Sequence, residues 1–87
     1  MNNNDIRQYD SVRITAIHRN FSKAECSPGM RVPKIDDIAA VIEIYNNLAL
    51  GYELESVNEW GKTNWLVTVA APNLVFEKIR PPEHSRR

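Results

Sequence analysis

The chain has 87 residues, and its 11 Lys and Arg residues balance its 11 Asp and Glu residues, which leaves a formal net charge of zero. This length allows one small domain, and the balanced charge provides no overall positive field that would attract nucleic acid or anionic lipid. The single cysteine excludes an intramolecular disulfide bond and a zinc site made of four thiolates.

Alternating apolar residues predict a folded β domain from residue 9 to residue 79. The flanking segments 1–8 and 80–87 are predicted to be polar, flexible tails, and the prolines of the second cannot donate to a sheet. No segment keeps the 3.6-residue period of an amphipathic helix over several turns.

The first two strands are predicted in SVRITAI and DIAAVIEIY, which are rich in β-branched residues. The residues predicted to point inward from the first strand are Val12, Ile14 and Ala16. The apolar row predicted for the second strand is Ile38, Ala40, Ile42 and Ile44, with partial cover for Val41 on the opposite row. Between the strands, residues 18–35 form a long loop, which either recognises a partner or packs Phe21, Met30 and Val32 onto the core.

The next two strands are predicted to form a β-hairpin, GYELESV followed by TNWLVTVA. Alternation places Tyr52 and Leu54 on one face of the first of these strands. In the second, the predicted core row is Trp65, Val67 and Val69. The turn between them contains Gly61, which supplies the positive φ that a tight connection needs.

The end of the folded segment is predicted to be one 3-10 turn, APNL, and a short fifth strand, VFEKI. Five short strands predict a mainly β protein and a small barrel, because closure hides strand edges that would otherwise recruit other chains. A long first loop, three consecutive strands and a 3-10 turn before the last strand resemble the SH3-like barrel.

Three segments carry a closer resemblance: VPKIDDIAAVIEIY from Val32, GYELE from Gly51, and Trp65-Leu66 followed by APNL. They resemble the bacterial family known as domain of unknown function 4926, whose members are short SH3-like proteins. The resemblance covers residues 9–79 and implies the same five-stranded barrel. This chain has Asp36 and Ala39 where the family is expected to have glycines.

The sequence offers few groups for catalysis, metal binding or cofactor binding. Of the softer metal ligands, His84 falls in the predicted tail, and His18 and Cys26 alone do not close a zinc site. Cys26 lies in ECSPG, a turn signal without the helix start that activates many nucleophilic cysteines. Asp36 and Asp37 are predicted to point to opposite faces and so make a poor acid–base pair. We therefore expect no cofactor, no metal and no enzymatic activity.

Acidic and aromatic side chains concentrate in the middle of the chain. The predicted partner-binding residues are Glu43, Tyr45, Glu53, Glu55, Glu59 and Trp60. Outward side chains of neighbouring strands lie side by side, so Glu43 is expected beside either Glu53 or Glu55. Trp60, in the hairpin turn, is a candidate anchor for a partner, and the alternative is that it folds back over the hairpin.

These features predict a non-enzymatic protein-binding module with a basic partner. One specific form is an immunity or antitoxin protein that masks a basic nuclease toxin. The alternative is a KOW-like accessory barrel associated with RNA, and the cations for its phosphate contacts would be Arg13, Arg19, Lys23, Arg31 and Lys34. We expect a monomer or a small homo-oligomer in the bacterial cytoplasm, because the single cysteine favours a reducing compartment and no segment has the length of a membrane span.

Overall fold

Five β-strands account for most of residues 6–79, the part of the chain that the computed structural model describes. The strands are β1 (Ser11–Ile17), β2 (Ile38–Asn46), β3 (Leu50–Val57), β4 (Thr63–Ala70) and β5 (Leu74–Lys78). Two 3-10 turns are present in this part of the chain, at Lys23–Glu25 in the long loop and at Ala71–Asn73 before β5. The predicted mainly β chain with a 3-10 turn before its last strand is confirmed.

The five strands form one antiparallel sheet in the order β4-β3-β2-β1-β5. The sheet is open rather than closed into a barrel, because β4 and β5 are its two edges and no ladder joins them within residues 6–79. The long loop, not β5, contacts the outer edge of β4, where the Arg31 amide donates a hydrogen bond of 2.9 Å to the Asn64 carbonyl.

The core lies on one face of the sheet and receives side chains from all five strands. Its buried apolar residues are Val12, Ile14, Ala39, Val41, Tyr52, Leu54, Trp65, Val69, Leu74 and Phe76. The rings of Tyr52 and Phe76 meet edge to face, with centroids 5.1 Å apart. The predicted inward rows of β3 and β4 are confirmed, as are the inward positions of Val12 and Ile14, whereas Ala16 is only half-buried.

The predicted apolar row of β2, Ile38, Ala40, Ile42 and Ile44, is wrong in its first half and correct at Ile44. Ala39 and Val41 are buried, whereas Ile38 is 48% exposed. The register against β3 shifts between Val41 and Glu43, so that Ile42 is an extra, bulged residue and the inward row changes parity there. Beyond the bulge Ile44 packs against the core, as predicted.

The chain before β1 also contacts the sheet. Ile6 packs against the core, and the Gln8 amide donates to the Ile42 carbonyl at 2.9 Å. Residues 1–5 and 80–87 of the predicted tails lie outside the described residues, and the predicted boundaries at residues 9 and 79 stay predictions. No helix within residues 6–79 has the length and apolarity needed to cross a membrane.

Candidate functional site

The most distinctive surface feature is a pair of carboxylates on adjacent strands. Glu43 of β2 lies directly opposite Glu53 of β3. The Tyr45 hydroxyl donates a hydrogen bond of 3.0 Å to Glu53 Oε1, and Gln8 Nε2 donates one of 3.2 Å to Glu43 Oε1. Like charges directly opposite each other on a sheet are destabilising, so this arrangement favours a cation placed over it. We call Glu43, Tyr45 and Glu53 the acidic patch.

Tyr45 is held as a hydrogen-bond donor within the acidic patch. Its bond to Glu53, followed by burial and then by the negative charges of Glu53 and Glu43, raises the pKa of the Tyr45 hydroxyl. As the donor in this bond, the hydroxyl keeps the Glu53 carboxylate in place.

Glu55 lies on the same face of β3, two residues beyond Glu53. Its carboxylate accepts a hydrogen bond of 2.7 Å from the Thr63 hydroxyl, and its cross-strand neighbours are Ala40 and Leu66. Leu66 is 46% exposed. The acidic patch thus continues into a strip of mixed acidic and apolar character toward β4.

Glu59 and Trp60 lie apart from the acidic patch, in the turn between β3 and β4. Asn58 Oδ1 shapes this turn by accepting hydrogen bonds from the Trp60 and Lys62 amides, at 2.8 and 3.0 Å, and Gly61 has the predicted positive φ of 82°. Trp60 is 81% exposed, so its ring does not fold back over the hairpin. The structure thus brings three of the six predicted site residues together, places Glu55 beside them, and puts the last two at the tip of the hairpin.

An ion-pair network that the sequence analysis missed centres on Asp37. Its carboxylate accepts two hydrogen bonds from the Arg31 guanidinium, at 2.8 and 3.0 Å, and one of 2.8 Å each from the Trp65 indole and the Lys34 amide. Burial raises the pKa of the Asp37 carboxyl, but these hydrogen bonds outweigh burial and hold the pKa below its ordinary value. The only sequence signal was Trp65 itself, because a buried indole N–H usually needs an acceptor.

Two of the cations proposed for RNA contacts are already paired with carboxylates. Arg13 bonds Asp36 and Glu77, and Arg31 bonds Asp37. The side chains of Asp36 and Asp37 were expected to point to opposite faces of a strand. The two residues lie in a turn before β2 instead, and they bind different arginines.

A groove with a volume of about 270 Å³ separates the long loop from β4. Its mixed lining includes Phe21, Met30, Arg31 and Val32 of the loop and Leu66, Val67 and Thr68 of β4. The Arg19 guanidinium lies 4.4 Å from the centre of the Phe21 ring at the same groove. Both alternatives for the loop therefore stay open, because Phe21 packs against the core and the loop also forms one wall of a groove.

The groups considered for catalysis lie in the long loop. The His18 amide donates to the Asn73 carbonyl at 2.9 Å, and Cys26 Sγ lies 3.8 Å from the Ser22 carbonyl oxygen. Within residues 6–79, no three His, Cys, Asp or Glu side chains are grouped so that they could hold a metal ion. His84 lies outside the described residues.

No family model, curated protein or solved structure matches the chain. The resemblance to the domain of unknown function 4926 family stays a prediction. The geometry of the acidic patch, the hairpin and the groove is therefore the basis for assigning a function.

Proposed function

We propose that this protein is a non-enzymatic protein-binding module whose acidic patch binds a basic partner protein. The observation that carries the proposal is the pairing of Glu43 with Glu53 in register on adjacent strands. The repulsion between these carboxylates is relieved when a lysine or arginine of a partner lies between them. Opposite charge on the two partners also accelerates their association.

The scaffold that we propose for this module is an SH3-like barrel that is left open between β4 and β5. The order of elements supports it: β1, a long loop, three consecutive strands, a 3-10 turn, and a β5 that pairs back with β1. In such a scaffold the long loop and the neighbouring hairpin flank one binding surface.

The partner that fits best is a basic nuclease, which would make this protein an immunity or antitoxin protein. A nuclease must attract phosphates with cations, and carboxylates such as those of Glu43, Glu53 and Glu55 compete for the same cations. Exposed aromatic residues supply the apolar contacts on which binding energy usually depends, and Tyr45 and Trp60 are 44% and 81% exposed.

RNA binding by a KOW-like barrel is the second candidate and has less support. Arg13 and Arg31 are occupied by carboxylates, and the acidic patch repels phosphates. Fluorescence anisotropy with a labelled single-stranded RNA and a labelled hairpin RNA tests it at low salt. Binding that weakens steeply as salt rises would favour this candidate over the protein-binding module, and no binding at low salt would remove it.

Co-expression with the product of the neighbouring gene tests the protein-binding module. We expect an equimolar complex with a basic protein, and we expect that complex to have lost the nuclease activity of the partner. The double variant Glu43→Lys/Glu53→Lys should no longer inhibit the nuclease. The control Glu77→Lys changes a charge in β5, away from the acidic patch, and should still inhibit it. Equal inhibition by both variants would contradict the proposed site.

A further inference from the structure

Within residues 6–79, the outer edge of β4 borders an open groove instead of another strand. Among residues 6–79, one backbone hydrogen bond from the long loop reaches this edge, between the Arg31 amide and the Asn64 carbonyl. Beyond Asn64, residues 65–68 line the groove. An edge strand beside an open groove can pair with an extended peptide through main-chain hydrogen bonds.

The two faces of this edge have different chemistry. On the inner side, Trp65 and Val67 line the groove together with the apolar loop residues Phe21, Met30 and Val32, and Arg19 and Arg31 also contribute to its lining. On the outer side, Leu66 lies opposite Glu55, and Thr68 lies opposite Glu53. A strand added to β4 would therefore have a groove with apolar and cationic side chains on one face and carboxylates near the other.

We propose that β4 accepts an extended segment of the basic partner as a sixth strand, and that this segment alternates apolar residues with lysine or arginine. The choice of a basic segment rests on the proposed function. Side chains alternate between the faces of a strand, so one set enters the groove and the other set projects over the outer face. The lysine or arginine residues of the added strand lie two strand spacings from β3, about 10 Å away. Their long side chains lean toward Glu53 and Glu55.

Charge complementarity favours a partner segment over a second copy of this chain. β4 itself, TNWLVTVA, contains no lysine or arginine. In a pairing between the β4 strands of two copies, the added strand would therefore carry no cation of its own toward Glu53 or Glu55. Sedimentation of the isolated protein checks this point, and a dimer that dissociates when the edge is altered by Leu66→Lys would overturn the proposal.

Synthetic peptides test the added strand directly. The probe is a peptide as long as β4 that alternates lysine and valine, and its charge control alternates glutamate and valine. We expect the lysine peptide to bind at least about tenfold more tightly than the glutamate peptide. Leu66→Lys should weaken its binding at least about tenfold, whereas the matched substitution Val75→Lys on the other edge strand should change it less than about twofold.

Backbone pairing is separated from charge attraction by two N-methylated forms of the lysine peptide. One carries methyl groups on all lysine amides and the other on all valine amides, so they block opposite edges of the peptide strand. Strand addition predicts that one form loses binding and the other keeps it. Equal behaviour of the two forms would overturn the added strand.

The outcomes also separate this inference from the proposed function. In one outcome, binding of the partner protein depends on Glu43 and Glu53, but neither the lysine peptide nor the partner slows hydrogen exchange in β4. The added strand is then wrong, and the role of the acidic patch stands. If the two N-methylated peptides differ as expected, but the partner protein is indifferent to charge reversal at the acidic patch, then the added strand stands and the proposed function is wrong.

Discussion

The indole nitrogen of Trp65 donates a hydrogen bond of 2.8 Å to Asp37 Oδ2, across 28 positions of the sequence. Trp65 is only 1% exposed, and the same carboxylate oxygen also accepts hydrogen bonds from Arg31 Nη1 and the Lys34 amide. This arrangement attaches the end of the long loop to β4. The position of the groove wall therefore depends on Asp37.

Replacing Asp37 with alanine should lower the free energy of unfolding by about 2–3 kcal/mol, because the Trp65 indole and the Arg31 guanidinium lose their acceptor. The loss is smaller than for a fully buried pair, since the Arg31 side chain is 37% exposed. Urea unfolding measures the effect. Glu59→Ala in the exposed turn is the control and should stay within about 0.5 kcal/mol; an equal effect of both substitutions would contradict the role given to Asp37.

Stability should fall in acid through Asp37. Burial raises the pKa of this carboxyl, but the hydrogen bonds from Arg31, Trp65 and Lys34 outweigh burial, so its pKa is lower in the folded state than in the unfolded chain. The unfolded carboxyl binds protons first, near its ordinary pKa of about 3.9, so the contribution is complete above that pH and is lost as pH falls through the lower folded pKa. Unfolding free energies of the unchanged protein and of Asp37→Asn should converge over this range. A difference that does not depend on pH would contradict this account.

Substitutions at Asp36 should separate backbone conformation from charge. Asp36 has a φ of +78°, a region that glycine adopts without cost and alanine avoids. Asp36→Ala should therefore destabilise the protein by about 1 kcal/mol, whereas Asp36→Gly should be close to neutral. Thermal or urea unfolding of the two variants makes the comparison. Equal destabilisation would show that the exposed ion pair with Arg13, rather than the backbone, dominates at this position.

The hydrogen bond between Tyr45 and Glu53 should be visible in the titration of tyrosine. The pKa of Tyr45 is raised first by that bond, then by burial and by the neighbouring charges of Glu53 and Glu43. Glu53→Gln should therefore lower the pKa of Tyr45, as measured by absorbance or by NMR of the phenol carbon at alkaline pH. Glu59→Gln, in the hairpin turn, should leave it unchanged. No shift in Glu53→Gln would show that the patch does not hold the Tyr45 hydroxyl.

The strands that sequence alone predicted correctly are those with one apolar row and one polar row. In β3, Tyr52 and Leu54 alternate with Glu53 and Glu55, so the inward face is unambiguous. In β2, both rows are apolar from Ile38 to Ile42, and the bulge at Ile42 changes the parity midway. The alternation of apolar and polar residues therefore did not predict which side chains of β2 are buried.

The candidate site was predictable in composition but not in arrangement. The sequence predicted that Glu43 lies beside either Glu53 or Glu55, because the pairing depends on the register of a hairpin with a bulge. In the structure Glu43 pairs with Glu53. The Asp37–Trp65 contact and the groove depend on a loop that returns to β4 from a distance in sequence. Local pattern carries no information about such contacts.

The association rate constant of this protein with its co-purified basic partner tests the central claim most directly. We predict that Glu43→Lys/Glu53→Lys lowers this rate at least about tenfold at low salt, and that the difference shrinks as salt rises. Glu77→Lys should change the rate less than about twofold. Equal rates for the double variant and the unchanged protein would contradict a binding role for the acidic patch.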